Sequence, residues 1–178
     1  MLSIRTANLE DAPLIAHMHA TSWKDAYKDI LPTEYLTDDL EGERRRHWNK
    51  KMSELAGNDF VLIAEENDKP VGFISVWEVH NGDYDAFVDN LHVLPNEKGG
   101  GKGSALIAYA AEKLIRLKKR SFYLWVLDQN VPARRFYERI GGVAKDKGLF
   151  EIRGEKIPET RFVWMDLDRL LKGKVSTK

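Results

Sequence analysis

The sequence has no cysteine among its 178 residues. This absence excludes disulfide scaffolds, thiolate catalysis and cysteine zinc sites. No apolar run approaches the ~20 residues of a membrane span, and the first residues lack the basic-then-apolar order of a signal peptide. Lysine plus arginine and aspartate plus glutamate number 28 each, so there is no net charge to attract nucleic acid or anionic membranes. We therefore expect a cytoplasmic protein that binds neither nucleic acid nor membrane.

Apolar and charged residues are both well represented in the composition. Hydrophobic residues make up 43% of the chain and charged residues 31%, values that are typical of a soluble globular protein. The length fits one domain and leaves little room for a second. We predict a single domain over residues 1–170, followed by a C-terminal tail at residues 171–178.

Hydrophobic periodicity predicts an alternation of strands and helices. The predicted strands are residues 2–6, 60–65, 71–79, 86–94, 122–127, 143–152 and 157–167, and the predicted helices are about 9–26, about 39–56, a long helix after Gly103, and about 132–140. This order is typical of a mixed α/β or α+β domain with a hairpin-rich sheet. The run Arg44–Arg46 is interpreted as a solvated helix face.

A glycine-rich loop between a strand and a helix is the most informative stretch. Four of the five residues from Gly99 to Gly103 are glycine, and glycine permits positive φ and close approach of a ligand to the backbone. The helix that follows offers unpaired N–H groups, so the loop predicts an anion site, most often for phosphate. Gly103 is expected to adopt a positive φ. A flexible surface turn is the alternative interpretation.

Two nucleotide-binding motifs fit this loop poorly. A Walker loop requires Gly-Lys-Ser/Thr, and Gly103 separates Lys102 from Ser104. A dinucleotide fingerprint starting at Gly101 would have Leu106 in place of its third glycine.

The residues Lys98–Gly103 resemble the Q/R-x-x-G-x-G/A signature of the GCN5-related N-acetyltransferase (GNAT) family, with Lys98 in place of glutamine or arginine. A second block of the sequence also resembles the family. The family's strand, asparagine and A-x-x-F-Y-x-x-x-G helix are similar, in that order, to Leu124–Leu127, Asn130, and the residues Ala133, Phe136-Tyr137-Glu138 and Gly141. The resemblance implies a single-domain fold with a mixed, mostly antiparallel central sheet flanked by helices and splayed at the cofactor site.

The same resemblance implies acetyl-CoA as co-substrate and no metal. The backbone of the loop would hold the pyrophosphate, and the residues assigned to it are Lys98, Gly99, Gly100, Gly101, Lys102, Gly103 and Ser104. Leu91 and Val93 would pair with the acyl-pantetheine through backbone groups. Asn130 matches the family asparagine near the pantetheine arm, and a helix cap is an equally compatible interpretation.

Transfer of an acetyl group to an amine needs an acid and a base. The attacking amine must be neutral, and the leaving thiolate should receive a proton. Tyr137 matches the family tyrosine near the CoA sulfur and is the predicted acid, with core packing as the alternative. Asp89 is the predicted base, because period-2 alternation places it on one face with Leu91 and Val93; a surface ion pair is its alternative. Glu78 and His80 could form a water relay instead.

The resulting functional hypothesis is direct transfer of acetyl from the CoA thioester to a primary amine on a small molecule or peptide. A CoA-binding sensor without activity and an enzyme using a longer acyl-CoA are the alternatives. Trp23, Tyr27 and Tyr35 are predicted to line the acceptor site, although aromatic residues at such positions also form cores. Dimers are common in the family, so a homodimer is one assembly compatible with the sequence.

Overall fold

Strands and helices alternate along the chain in the computed structural model, which describes residues 1–80 and 82–172. The strands are β1 Leu2–Thr6, β2 Phe60–Glu66, β3 Lys69–Glu78, β4 Ala86–Val93, β5 Phe122–Leu127, β6 Val143–Ile152 and β7 Glu155–Trp164. The α-helices are α1 Ala12–Ala26, α2 Thr33–Thr37, α3 Leu40–Ser53, α4 Lys102–Arg116, α5 Val131–Arg139 and α6 Leu167–Lys172. All seven predicted strands are confirmed. The helices α2 and α6 were not predicted, and the last strand ends at Trp164 rather than at residue 167.

The seven strands form one sheet in the order β1-β2-β3-β4-β5-β7-β6. The pairs β1–β2, β2–β3, β5–β7 and β6–β7 are antiparallel, whereas β4–β5 is parallel. The parallel pairing comprises Ala86 with Phe122 and Phe87 with Tyr123. The predicted mixed, mostly antiparallel sheet is therefore confirmed, and the short parallel register agrees with the predicted splay of β4 from β5.

Two tight turns set the register of the hairpins. Asn67 and Asp68 connect β2 to β3 with φ of 52° and 62°, and Arg153 and Gly154 connect β6 to β7 with φ of 46° and 83°. Positive φ at both central residues is the mark of a type I′ turn, whose twist matches that of the flanking strands.

The described chain divides into two compact units. Unit 1 comprises Met1–Val76 and Asn90–Ile107, and unit 2 comprises Trp77–Asp89 and the chain from Ala108 onward. Apolar side chains of α1 and α3 and of β2 and β3 are buried in unit 1, among them Ile15, Trp48, Leu62 and Phe73. In unit 2 the buried set includes Phe122, Leu124, Phe162 and Trp164.

The prediction of one domain over residues 1–170 stays a prediction. Of the predicted tail, Leu171 and Lys172 close α6, and residues 173–178 lie outside the described residues. No described helix is long and apolar enough to cross a membrane.

The segment of chain around β4 is one residue longer, between two hydrogen bonds to the segment around β3, than the segment opposite it. Val79 donates its N–H to the Asp85 carbonyl at 3.0 Å, and Leu94 donates to the Val71 carbonyl at 2.9 Å. The chain is one residue longer from Asp85 to Leu94 than from Val71 to Val79, so the antiparallel register shifts between these bonds, as in a β-bulge. Burial nevertheless alternates along β4 as far as Leu91, which keeps Asp89 and Leu91 together on the half-buried side. The predicted common face with Val93 stays a prediction.

Candidate active site

The glycine loop of unit 1 has the backbone conformations that only glycine adopts easily. After a 3₁₀ turn at Pro95–Glu97, Gly99 has a φ of +100° and Gly101 a φ of +76°. A Cβ at either position would meet nothing within 4 Å, so the loop is open on that side. The expectation of a positive φ at Gly103 was wrong, because this residue lies in the first turn of α4.

Several backbone N–H groups lie close together where the loop enters α4. Ala105 donates its N–H to the Gly101 carbonyl at 2.9 Å, which is the α-helical spacing. The N–H groups of Lys102, Gly103 and Ser104 precede this bond and therefore have no partner in the helical ladder. Such an N-terminus attracts anions through these donors and through the helix dipole.

Both lysines of the loop form ion pairs within unit 1. Lys98 Nζ lies 2.5 Å from Asp25 Oδ2 on α1. Lys102 Nζ lies 3.1 Å from Glu66 Oε2 and 3.2 Å from Glu97 Oε2. Hydrogen bonds to Glu66 and then to Glu97 raise the pKa of Lys102 above its usual value. The structure thus gives Lys98 a partner on α1, and its predicted role in cofactor binding stays a prediction.

The end of β4 that carries Leu91 and Val93 is packed tightly against β3. A Cβ at Gly72 would lie 2.5 Å from the His92 carbonyl oxygen and 3.1 Å from Val93 Cα, so only glycine fits there. The Ser22 hydroxyl of α1 lies 3.5 Å from the Val93 carbonyl. Leu91 and Val93 are themselves half-buried.

Behind this strand end lies a pair of histidines that the sequence did not indicate. The rings of His19 and His92 stack with centroids 4.8 Å apart. Trp48 Nε1 donates to His19 Nδ1 at 2.9 Å, so the neutral ring carries its proton on Nε2, a buried atom without a partner among the described residues. Burial is the main cause that holds the pKa of His19 well below its usual value, and burial lowers that of His92 to about 3.

The three aromatic residues predicted to line the acceptor site form one cluster in unit 1. The Trp23 ring lies 5.4 Å from that of Tyr27 and 5.9 Å from that of Tyr35. Tyr35 is buried, and its hydroxyl donates to Glu43 Oε1 at 3.3 Å. The Arg44 guanidinium lies 5.1 Å from the Trp23 ring centroid. This cluster stays a candidate acceptor site.

The solvated helix face predicted for Arg44–Arg46 is wrong at its first residue. Only 12% of the Arg44 side chain is exposed, and its Nε is buried with no hydrogen-bond partner in the described part of the chain. The signal was present in the sequence: Leu40, Arg44, Trp48 and Met52 are spaced by four residues and form one stripe, and the other three are buried.

Tyr137 and Asn130 belong to unit 2. Tyr137 is buried on α5, with ring centroids 6.0 Å from those of Phe162 and of Trp164. Asn130 is the N-cap of α5, and its Oδ1 accepts from Ala133 N–H at 3.3 Å. The capping interpretation of Asn130 is confirmed, while its contact with the pantetheine arm and the acid role of Tyr137 stay predictions.

The candidate bases differ in the hydrogen bonds and ion pairs that their side chains already form. Asp89 is half-buried and accepts one hydrogen bond from Trp77 Nε1 at 2.9 Å. Glu78 forms an ion pair with Lys119, and His80 Nε2 lies 3.9 Å from the same carboxylate. Asp85 accepts hydrogen bonds from the N–H groups of Arg120 and Ser121 and thus holds the segment that leads into β5. No group of three or more potential metal ligands occurs among residues 1–80 and 82–172.

Comparison with known proteins gives a consistent result. The model of the "Acetyltransferase (GNAT) family" matches residues 20–142. YuaI of Bacillus subtilis strain 168, named an uncharacterized N-acetyltransferase, is 32% identical over 173 residues, which are 96% of each chain. A PaiA N-acetyltransferase of Thermoplasma acidophilum, solved with coenzyme A, has a TM-score of 0.72 at 21% identity and covers 89% of this chain and 98% of its own. YncA of Salmonella typhimurium, solved with its cofactor acetyl-CoA, has a TM-score of 0.66 at 19% identity over 93% and 94% of the two chains.

Proposed function

Because the chain belongs to the GNAT family of acetyltransferases, we propose that it transfers the acetyl group of acetyl-CoA directly to a primary amine of a small molecule or peptide. The observation that carries this proposal is the glycine loop that opens α4, with positive φ at Gly99 and Gly101 and with N–H groups of the first helical turn that precede the first helical hydrogen bond. The bound coenzyme A and acetyl-CoA of the two structural relatives support the choice of cofactor.

The proposed reaction exchanges one bond for another. Asp89 takes a proton from the acceptor ammonium, directly or through water, because only the neutral amine has a lone pair. The amine nitrogen forms a bond to the thioester carbon, and the carbon–sulfur bond breaks. Tyr137 donates its proton to the departing thiolate, and the proton that the amide nitrogen loses returns to Tyr137 through water. The Phe162 and Trp164 rings that flank Tyr137 restrict its ring, which is what a proton donor of fixed direction requires.

Calorimetry separates cofactor binding from chemistry. We expect heat from acetyl-CoA and none from NAD. Heat from NAD alone would contradict the assignment of the loop.

Tyr137→Phe should lower kcat by about 10²–10⁴-fold, the usual contribution of a general acid, without changing acetyl-CoA affinity. Tyr109→Phe is the matched control, because Tyr109 is an exposed tyrosine of α4. Unchanged kcat in Tyr137→Phe would leave Tyr137 a packing residue.

The role of Asp89 has its own signature in the pH profile. Asp89→Asn keeps the shape of the side chain and its acceptor for Trp77 Nε1 but removes the charge. It should lower kcat/KM most at neutral pH and recover at high pH, where more of the amine is already neutral. A profile identical to that of the parent would move the base to Glu78 or His80.

Two further expectations stay predictions. They are the cytoplasmic location and the homodimer as a compatible assembly. Binding of acetyl-CoA without product across a panel of amines would instead favour a CoA sensor, and faster turnover with a longer acyl-CoA would change the donor.

A further inference from the structure

The carboxylate of Asp89 forms a hydrogen bond through one of its two oxygens. Trp77, on the neighbouring strand β3, donates its indole Nε1–H to Asp89 Oδ2 at 2.9 Å. Among the described residues, Oδ1 has no hydrogen-bond partner, and the carboxylate forms no ion pair. Both residues belong to unit 2 and are half-buried. The two oxygens of Asp89 therefore differ, because only Oδ1 is left for a further contact.

The indole group determines which oxygen of Asp89 can take up a proton. An indole N–H donates a hydrogen bond and accepts none. A proton on Oδ2 would weaken the bond from Trp77, whereas a proton on Oδ1 leaves the accepting atom as it is. The bond also favours the ionised carboxylate, because a donor stabilises the charged form of an acid, and it restricts rotation of the carboxyl group. A general base needs both properties, since it must be ionised before the reaction and its accepting atom must be fixed.

The other carboxylate at this end of β3 has different partners. Glu78 follows Trp77 in the sequence, and successive side chains of a strand point to opposite faces of the sheet. The Glu78 carboxylate forms an ion pair with Lys119, and His80 Nε2 lies 3.9 Å from it. The charge of Lys119 is therefore paired with Glu78 and does not serve Asp89.

Aromatic rings and a paired cation lie on the side of β4 that carries Asp89. Phe87, two residues before Asp89 on the same half-buried side, stacks on Tyr123 with ring centroids 4.9 Å apart. Arg161 lies over the Tyr123 ring, 5.4 Å from its centroid, and its guanidinium is paired with Asp146. The hydrogen bond from the indole is thus the contact that stabilises the charge of Asp89 within the described part of the chain.

We propose that Trp77 is the positioning residue of the general base: its hydrogen bond to Oδ2 keeps Asp89 ionised and leaves Oδ1 to accept the proton of the acceptor ammonium. This inference rests on the proposed function, because it takes Asp89 as the base. The proton moves from the ammonium nitrogen to Oδ1, directly or through water, and the electron pair of the broken N–H bond stays on nitrogen as the lone pair that attacks. Asp89 then returns the proton to solvent. Trp77 exchanges no proton and acts only through Asp89.

The pH profile of kcat/KM separates positioning from packing. Trp77→Phe keeps an aromatic ring and removes the donor, so the carboxylate should bind its proton more tightly. The acid limb should move about one unit to higher pH, as expected for loss of a hydrogen bond to a charged group, and kcat/KM below the limb should fall about tenfold. A change in packing alone would lower kcat/KM equally at every pH.

Two control variants accompany this measurement. In the Asp89→Asn background, Trp77→Phe should leave the shape of the profile unchanged, because the titrating group is absent. Trp125→Phe is the matched control, because Trp125 is a half-buried tryptophan of unit 2 whose indole N–H does not bond to Asp89. It should leave the acid limb where the parent has it.

The indole resonance of Trp77 gives a second readout that requires no reaction. In ¹⁵N-labelled parent protein, the Nε1–H signal of Trp77 should shift between pH 7 and pH 4 as Asp89 takes up its proton, and this shift should be absent in Asp89→Asn. The measurement uses the parent fold, so it tests the inference even when Trp77→Phe does not fold.

The outcomes distinguish this inference from the proposed reaction. An unmoved acid limb in folded Trp77→Phe, or an indole signal that does not depend on Asp89, would overturn the role of Trp77 and leave the acetyl transfer intact. An indole signal that follows Asp89 in a protein that acetylates no amine would instead overturn the proposed reaction, and the role of Trp77 with it.

Discussion

The strand end Asn90–Val93 and the loop Gly99–Ser104, both in unit 1, are held in different ways. The strand end is fixed by buried contacts: Asn90 Nδ2 donates to Ser75 Oγ at 3.0 Å, and His92 stacks on His19. The loop is exposed from Gly99 to Gly101, and it is held by its backbone conformation and by ion pairs of Lys98 and Lys102. Both segments include residues predicted to bind the cofactor. We therefore expect changes in packing and in pH to affect the strand end, and changes in backbone conformation and in salt concentration to affect the loop.

The largest effect is expected at Gly72. In Gly72→Val the new side chain would collide with the backbone of His92 and Val93, which cannot move without displacing β4. We expect a loss of about 3 kcal/mol in the free energy of unfolding, measured by urea denaturation. Gly100→Val is the control, because the nearest atom to its Cβ is the flexible Lys102 Nζ at 3.3 Å. Parent stability in Gly72→Val would show that the strand end is not rigid.

Acid should destabilise the protein through the histidine pair. In the unfolded chain His92 takes up a proton as the pH falls below about 6.5, whereas in the folded chain burial lowers its pKa to about 3. The unfolded state therefore binds more protons in this window, and stability is lost as the pH falls, by up to about 1.4 kcal/mol per pH unit for one histidine.

Urea midpoints between pH 7 and pH 5 measure this loss, in a range above the titration of most carboxylates. His92→Gln should make the dependence shallower by the contribution of one histidine, because His19 stays buried, and His80→Gln, at an exposed histidine, should not change it. An equally steep dependence in His92→Gln would assign the acid sensitivity to other groups.

A smaller effect is expected from the loop backbone. Gly101→Ala forces a side chain into a φ of +76°, which costs about 1 kcal/mol. In the free protein the exposed loop relaxes away from this φ, so the unfolding midpoint changes little. Acetyl-CoA binding must restore the φ, so the affinity should fall about fivefold, the equivalent of that free energy. Gly100→Ala lacks the positive φ and serves as the control in the same titration. Equal affinities of the two variants would mean that the loop backbone does not determine binding.

The smallest effect is expected from the ion pair of Lys98 with Asp25. The two side chains are 49% and 42% exposed, so their coupling should be about 0.2–1 kcal/mol. A double-mutant cycle with Lys98→Met and Asp25→Asn measures it, and 1 M salt should reduce it. Coupling that survives high salt would indicate a contact more buried than the structure shows.

The sequence predicts the loop well because its signals are local. The glycine cluster indicates a loop before a helix, and the helix does begin directly after it, but positive φ occurs at Gly99 and Gly101 and not at Gly103 as expected. Asn67 and Asp68 likewise form a tight turn, in the gap left between the predicted strands 60–65 and 71–79. In each case the residue type alone restricts the backbone, so no distant partner is needed to recognise it.

The features that sequence reasoning missed depend on partners far along the chain. The extra residue in β4 exists only relative to β3, so alternation within β4 could not reveal it. The contacts of Gly72 with β4 and of Gly148 with Trp125 and Glu159 depend on strand register in the same way. Arg44 is the exception. Its spacing from Leu40 and Trp48 indicated a buried position in the sequence, but its charge favoured the interpretation as a solvated residue.

The two type I′ hairpins also have a consequence for the order of folding. The strands β2 and β3, and likewise β6 and β7, are separated by only two residues, and closing such a hairpin takes on the order of 1–10 μs. Pairing of Ala86 with Phe122 and of Phe87 with Tyr123 must instead close a long segment that includes α4. Because loop closure costs entropy before distant contacts can form, we expect the hairpins to form early and the parallel pairs of β4 and β5 to be among the last contacts made.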